Sequence, residues 1–299
     1  MYDITIIGAG PAGLTAAIYA RRANKKVLVL EANTYGGQII TTDKIENYPV
    51  NPGISGFDFA TKLYNQAKEL GTEIKYEKVT DITENEVITT KSTYKTKTII
   101  LATGADNRKL NLENEEKLTG KGVSYCATCD GAFYKNKTVA IQGGGNTAVE
   151  DAIYLSDIAE TVYLIHRRDT FKADEILVNQ MKEKENIQTI MNARITKLNG
   201  GDKLESVDLT NDNNETKTLN IDGLFIAVGQ VPETENFKTI INTNEQGYII
   251  ATEDCKTNIK NIFVAGDNRT KTLRQLVTAT SDGAIAATEA IKYISENKE

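Results

Sequence analysis

The sequence holds one histidine, His166, in 299 residues. A single imidazole excludes most histidine-based metal sites and speaks against a Ser-His-Asp hydrolase. Cysteine is scarce too: three residues, an odd number, exclude a disulfide-stapled scaffold. No apolar run approaches the roughly 18 residues that a membrane span needs. The N-terminus enters a strand-like stretch at once, without the basic, apolar and small-residue pattern of an export signal. Excess positive charge is absent as well. The 35 Lys and Arg stand against 41 Asp and Glu, a balance of −6, which argues against coating nucleic acid or anionic membrane. What remains is the composition of a soluble, cytoplasmic globular protein, with length for two domains.

The first forty residues read as strand, glycine-rich turn, helix and strand. Asp3 to Ile7 is short, apolar and β-branched, as a buried parallel strand should be. Gly8-Ala9-Gly10-Pro11-Ala12-Gly13 follows, then an alanine-rich helical stretch from Leu14 to Ala23, then Val27 to Glu31. A dinucleotide pyrophosphate rests on backbone N–H groups at a helix start. In that arrangement Gly8 permits the tight turn, Gly10 lets the chain approach the phosphates, and Gly13 lets helix pack on strand. Glu31 ends the second strand, where an acid holds ribose hydroxyls. A bare GxGxxG is weak evidence; with its flanking strands, helix and terminal acid it is strong.

The same sentence is written again later. Thr138 to Ile141 is a strand, Gly143, Gly145 and Ala148 form GxGxxA, Val149 to Leu155 is helical, and Thr161 to Ile165 is the second strand. This copy ends in His166-Arg167-Arg168, with Lys172 just beyond, instead of in an acid. Guanidinium groups match a phosphate dianion by bidentate bonding, so this site should prefer NADPH to NADH. His166 either touches the ligand or only packs.

Three further strand-to-turn segments end in small residues: Lys97 to Gly104, Gly223 to Gly229, and Asn261 to Asp267. Leu273 to Ile294 reads as a long helix, and Lys75 to Tyr94 and Asn186 to Leu219 as meanders. The polar stretches Arg108 to Glu116 and Gln230 to Glu235 are candidate linkers. They predict an α/β protein with two Rossmann-like dinucleotide-binding domains, one inserted in the other, with bounds 1–110, 111–235 and 236–299. Two chain crossings between domains make a natural hinge.

Two nucleotide sites on one chain suggest an electron relay. Gly266-Asp267 suits the permanently held nucleotide, since an aspartate there can accept hydrogen bonds from a flavin's sugar-alcohol chain. Arg274-Gln275-Leu276 begins a helix whose N–H groups would stabilise negative charge on a reduced flavin. Cys126 and Cys129 are spaced to close a small, reversible disulfide ring. Asp130 is the local candidate for proton transfer, provided burial raises its pKa. The rival reading is zinc held by Cys126, Cys129, Cys255 and His166, but only one cysteine knuckle exists. Cys255 otherwise reads as an ordinary side chain.

These pieces together resemble the low-molecular-weight bacterial thioredoxin reductases, of the pyridine nucleotide-disulfide oxidoreductase type. The matching segments are GAGPAG (Gly8 to Gly13), GGQ (Gly36 to Gln38), ENYP (Glu46 to Pro49), ATG (Ala102 to Gly104), CATCD (Cys126 to Asp130), GGGNTAVE (Gly143 to Glu150), HRRDTF (His166 to Phe171), AGD (Ala265 to Asp267) and Arg274-Gln275. The resemblance implies FAD in the discontinuous domain, with Gly37, Gln38, Asn47, Gly104, Gly266, Asp267, Arg274 and Gln275 added to the first glycine set and Glu31. It implies NADPH on the inserted domain, a homodimer, and thioredoxin as the disulfide substrate. Cys129 would face the flavin, Cys126 would attack thioredoxin, Asp130 would be the acid/base, and the NADPH domain would swivel between two orientations. The sequence departs from the family at Lys172, where arginine is usual; at Gln142, where glycine is common; and in the basic loop Asn268-Arg269-Thr270-Lys271.

Overall fold

A computed structural model describes residues 1–42, 44, 45 and 47–297. Glu46, the first residue of the ENYP segment, lies outside the described residues. The chain divides into two compact units, Met1–Asp106 with Val231–Glu299, and Asn107–Gln230.

The first unit begins with β1 (Tyr2–Ile7), α1 (Pro11–Arg22) and β2 (Val27–Glu31), followed by α2 (Gly56–Glu69). Next come β3 (Glu73–Tyr76), β4 (Val79–Ile82), β5 (Glu86–Thr89), β6 (Thr93–Leu101) and the short β7 (Ala105–Asn107). The sheet order is β3-β2-β1-β6-β5-β4. β1 is parallel to β2 and β6, whereas β4, β5 and the start of β6 form the antiparallel meander that the sequence suggests. Alternation explains the apolar runs. Ile4, Ile6, Val27 and Val29 pack under the helices on one face, while Ile7, Leu28 and Leu30 pack on the other. Both faces are covered, so these strands are mostly apolar on both sides, with Thr5 a buried polar exception in β1.

The second unit holds α3 (Glu115–Leu118), β8 (Val123–Ser124), α4 (Ala127–Asp130), β9 (Thr138–Gly143), α5 (Asn146–Ser156), β10 (Thr161–Ile165), α6 (Glu175–Lys182) and β11 (Ile187–Ile190). An antiparallel trio, β12 (Ala193–Asn199), β13 (Ser206–Asn211) and β14 (Thr216–Asn220), precedes β15 (Gly223–Ala227) and β16 (Gln230–Pro232). The parallel sheet runs β11-β10-β9-β15-β8. Val139, Ile141, Val162 and Leu164 face the α5 side, and Ala140, Ile165, Leu224 and Ile226 face the core shared with β12 and β13. Gln142 is buried on this sheet, and its amide is satisfied: Nε2 donates to the Ile165 carbonyl and Oε1 accepts from Ile195 N–H. A glycine could not tie β10 to β12 in this way.

The chain returns to the first unit with β17 (Ile262–Val264), parallel to the end of β6, and α7 (Leu276–Glu296). α7 packs on α1 and begins three residues later than the sequence suggests, because Gln275 is its N-cap. The division between units falls at Asp106/Asn107 and Gln230/Val231, a few residues ahead of the expected bounds. The cause is pairing: β16 adds to β7, and Gln230 donates to Asn107 Oδ1 at 2.8 Å, so the crossings are structured where polarity suggested open linker.

Candidate active site: two glycine-rich turns and a vicinal dithiol

In the first unit the glycine-rich turn joins β1 to α1. Gly8 sits at φ +106°, and a Cβ there would stand 2.3 Å from the Ala102 carbonyl oxygen. A Cβ on Gly13 would stand 2.0 Å from the Gly8 oxygen, so the third glycine is required by close helix–strand packing. At Gly10 a Cβ would meet nothing within 4 Å, and the backbone is open on the side where a phosphate would come. Glu31 accepts Ala9 N–H at 2.8 Å and Asn33 N–H at 2.9 Å. It therefore braces the turn itself, a duty the sequence does not reveal, and each carboxylate oxygen keeps a second lone pair.

Other expected residues of this unit meet in pairs. Gln38, in the 3-10 turn Gly37–Thr41, donates to the Ala105 carbonyl and to Asp106 Oδ1. Asn47 donates to Gln275 Oε1 at 2.9 Å. Gly104 is at φ +72° with open space beside it. Arg274 lies over the Tyr248 ring, 4.1 Å from its centre, and reaches the carbonyls of Asp267 and Arg269. Asp267 Oδ1 is buried without a hydrogen-bond partner. Burial pushes the Asp267 carboxyl above the usual range, opposed by Lys271 and Arg274.

Asp282 was not singled out from the sequence, yet it organises this corner. It accepts Gly266 N–H at 3.0 Å, two bonds from Arg269 at 2.8 Å, and Lys271 at 2.8 Å. Burial raises its pKa and these cations more than reverse that, holding the carboxyl below the ordinary range. The basic loop is thus the partner of a buried acid. The only signal in the sequence was an aspartate inside an alanine-rich helix.

In the second unit Gly143 and Gly145 lead into α5, and Ala148 is fully buried against Gly143. A Cβ on Gly145 would again meet nothing within 4 Å. His166 packs: its ring stacks on Phe171, Nε2 lies 3.1 Å from the Thr170 carbonyl, and a Cβ on Gly144 would fall 2.1 Å from the imidazole. Burial lowers its pKa, and Arg167 and Arg168 add to the fall, so the ring is neutral near pH 7. Lys172 N–H donates to the Gly144 carbonyl at 2.7 Å, folding the basic loop back on the turn. The side chains of Arg167, Arg168 and Lys172 project into solvent.

Cys126 and Cys129 are joined as a disulfide at the start of α4, both partly exposed. Asp130 ends that helix, and burial raises its pKa, the condition the sequence argument sets for proton transfer. Ser124, unnoticed in the sequence, donates to Asp130 Oδ2 at 2.6 Å and accepts Cys126 N–H at 3.1 Å. Behind it, buried Glu115 accepts from Leu110 N–H, Leu112 N–H and the Tyr125 hydroxyl, tying the segment after β7 to the residue that precedes Cys126. Of the residues weighed as zinc ligands, Cys255 is a buried side chain of the first unit, and the other three belong to the second. Among the described residues no group of three or more His, Cys, Asp and Glu is placed to hold a metal.

A disulfide beside a half-buried acid, on a chain with two open glycine-rich turns, defines a class. The family model "Pyridine nucleotide-disulphide oxidoreductase" matches residues 2–283, and the chain belongs to that family. A thioredoxin reductase of Listeria innocua is 45% identical over 306 residues, covering 100% of this chain and 96% of its own. One of Mycoplasma genitalium is 42% identical over 296 residues, covering 96% and 93%. The crystal structure of thioredoxin reductase from Streptococcus pyogenes superposes with a TM-score of 0.95 at 40% identity, covering 99% of each chain. The cofactors that go with this membership are FAD and NADPH. The orphaned Asp267 Oδ1 fits a ligand hydroxyl, and the open faces of Gly10 and Gly145 fit phosphates.

Proposed function

We propose that the chain reduces the disulfide of thioredoxin with electrons from NADPH, passed through FAD and the Cys126–Cys129 pair. The observation that carries this reading is the disulfide itself, closed beside an acid whose pKa burial has raised. In this reading Gly8, Gly10, Gly13, Glu31, Gly37, Gln38, Asn47, Gly104, Gly266, Asp267, Arg274 and Gln275 hold FAD. Gly143, Gly145, Ala148, Arg167, Arg168 and Lys172 hold NADPH. Bound FAD supplies a two-electron carrier between a nicotinamide and a disulfide.

The chain's own residues do the rest. Glu31 holds the first turn in shape and offers its spare lone pairs to ribose hydroxyls, while Asp267 offers its unpartnered oxygen to the sugar-alcohol chain. Arg167 and Arg168 grip a 2′-phosphate as forks and Lys172 as a point charge, which leaves discrimination against NADH softer than a third arginine would give. Asp130 moves the proton of the dithiol. Once the pair is reduced, one thiolate attacks a sulfur of thioredoxin and the partner's other sulfur leaves as a thiol; the second cysteine then attacks the mixed disulfide, closing the ring and releasing the first thioredoxin sulfur as a thiol. The dithiol must serve flavin and thioredoxin in turn, and the swivel this needs is assigned to the two crossings, Ala105–Asn107 and Gln230–Pro232. The enzyme works as a cytoplasmic homodimer.

The test is Cys126→Ser. NADPH should still bleach the flavin, and turnover with thioredoxin should be abolished. Turnover that persists removes Cys126 from the attack on thioredoxin.

A further inference from the structure

We propose that Ser124 is a positioning residue that sets the protonation of Asp130, through a hydrogen-bond chain that starts at the Cys126 backbone. The inference rests on the reading of Asp130 as the proton carrier of the dithiol.

Ser124 is 4% exposed and fixed by its place on β8, which pairs in parallel with β15. Its hydroxyl accepts Cys126 N–H at 3.1 Å and lies 2.6 Å from Asp130 Oδ2. A hydroxyl has one proton to give. The alternative acceptor, the Cys126 carbonyl, is 3.4 Å away, so the short contact to the carboxyl takes the proton. The chain then runs in one direction, from amide to hydroxyl to carboxylate. Each donor polarises the next, and a charge-assisted O–H bond to an ionised oxygen is stronger than its neutral counterpart.

Among the described residues, Ser124 supplies the hydrogen bond that shifts Asp130 downward. The 3-10 turn after α4 contributes the Tyr134 phenol, which is neutral at working pH, its pKa pushed to about 12 by burial and then by the charges of Asp130 and Asp222. α5 packs on α4, and its acids Glu150 and Asp151 do not figure among the charges that shift Asp130. Burial therefore raises Asp130, and Ser124 is the hydrogen bond that opposes it. Its place between Cys126 and Asp130 also links the proton carrier to the backbone of a redox-active residue. Residue type alone gave no hint of this, because a serine two positions before a cysteine pair has no chemical signature.

The experiment uses the FAD-loaded protein with thioredoxin as substrate. The pH dependence of kcat/KM is measured together with that of iodoacetamide alkylation of the reduced thiols. Four forms are compared: the parent, Ser124→Ala, Asp130→Asn and the double variant. In Ser124→Ala the limb on which the rate falls as Asp130 loses its proton should move up by about one pH unit. Ser124→Thr should return it, and Ser124→Ala should shift nothing further in the Asp130→Asn background. A limb unmoved by Ser124→Ala but abolished by Asp130→Asn overturns the role of Ser124. A limb that survives Asp130→Asn overturns the assignment of Asp130 itself.

Discussion

The Asp151 carboxyl is raised to about 7 by burial and then by the charge of Glu150. Its folded state therefore holds a proton that the unfolded chain gives up near pH 4. The sign follows: stability attached to Asp151 is full below about pH 4 and falls as pH rises through about 7. Asp151→Asn removes that loss. Its unfolding free energy at pH 8 should exceed the parent's by roughly 2–4 kcal/mol, with the slope between pH 4 and 7 flattened. Urea titrations across that range check it, and an unchanged slope would contradict it. Asp282 shows the opposite case, a buried acid held ionised by Arg269 and Lys271. At this scale the sequence was legible where chemistry and spacing coincide, as at Gly8, Gly13 and the cysteine pair. It was silent on Ser124, Asp282 and Glu115, whose roles come from partners brought together only by folding.

Strong periodicity made the elements readable. β1, β2, β9 and β10 are largely apolar because both sheet faces are covered, and β1 and β9 are each followed by a glycine-rich turn. The pairing of β7 with β16 could not be read, since three-residue strands carry no period and their partners lie far apart in sequence. The packing of α7 on α1 was hidden for a similar reason. A Cβ on Gly283 would stand 2.2 Å from the Ala12 carbonyl oxygen, so α7 approaches the backbone of the first glycine-rich turn directly. Gly283→Val should force the helices apart and cost about 1–3 kcal/mol. Thermal melts should show the loss, and FAD retention should weaken with it because Asp282 and the Gly266 turn move with α7. A melt unchanged by the valine would show that the contact yields.

At the scale of the molecule, one supersecondary unit is written twice and a second domain is inserted within the first. The duplication was legible, because the repeated strand–turn–helix–strand pattern marks each copy. The exact crossing points were not, since polar composition does not separate a paired ribbon from an open linker. Glu31 ends the first copy as an acid that braces the Ala9 N–H, and exposed Arg167 and Arg168 end the second as bases. In the proposed reading that asymmetry, with the disulfide on the second unit, serves electron passage from one nucleotide to the other and out through sulfur. The most direct test is a visible spectrum of the purified protein followed through anaerobic addition of NADPH and then oxidised thioredoxin. The account predicts yellow flavin absorbance that bleaches with NADPH and returns with thioredoxin. A protein that stays colourless after reconstitution with FAD, or whose bleached flavin is not restored by thioredoxin, would contradict it.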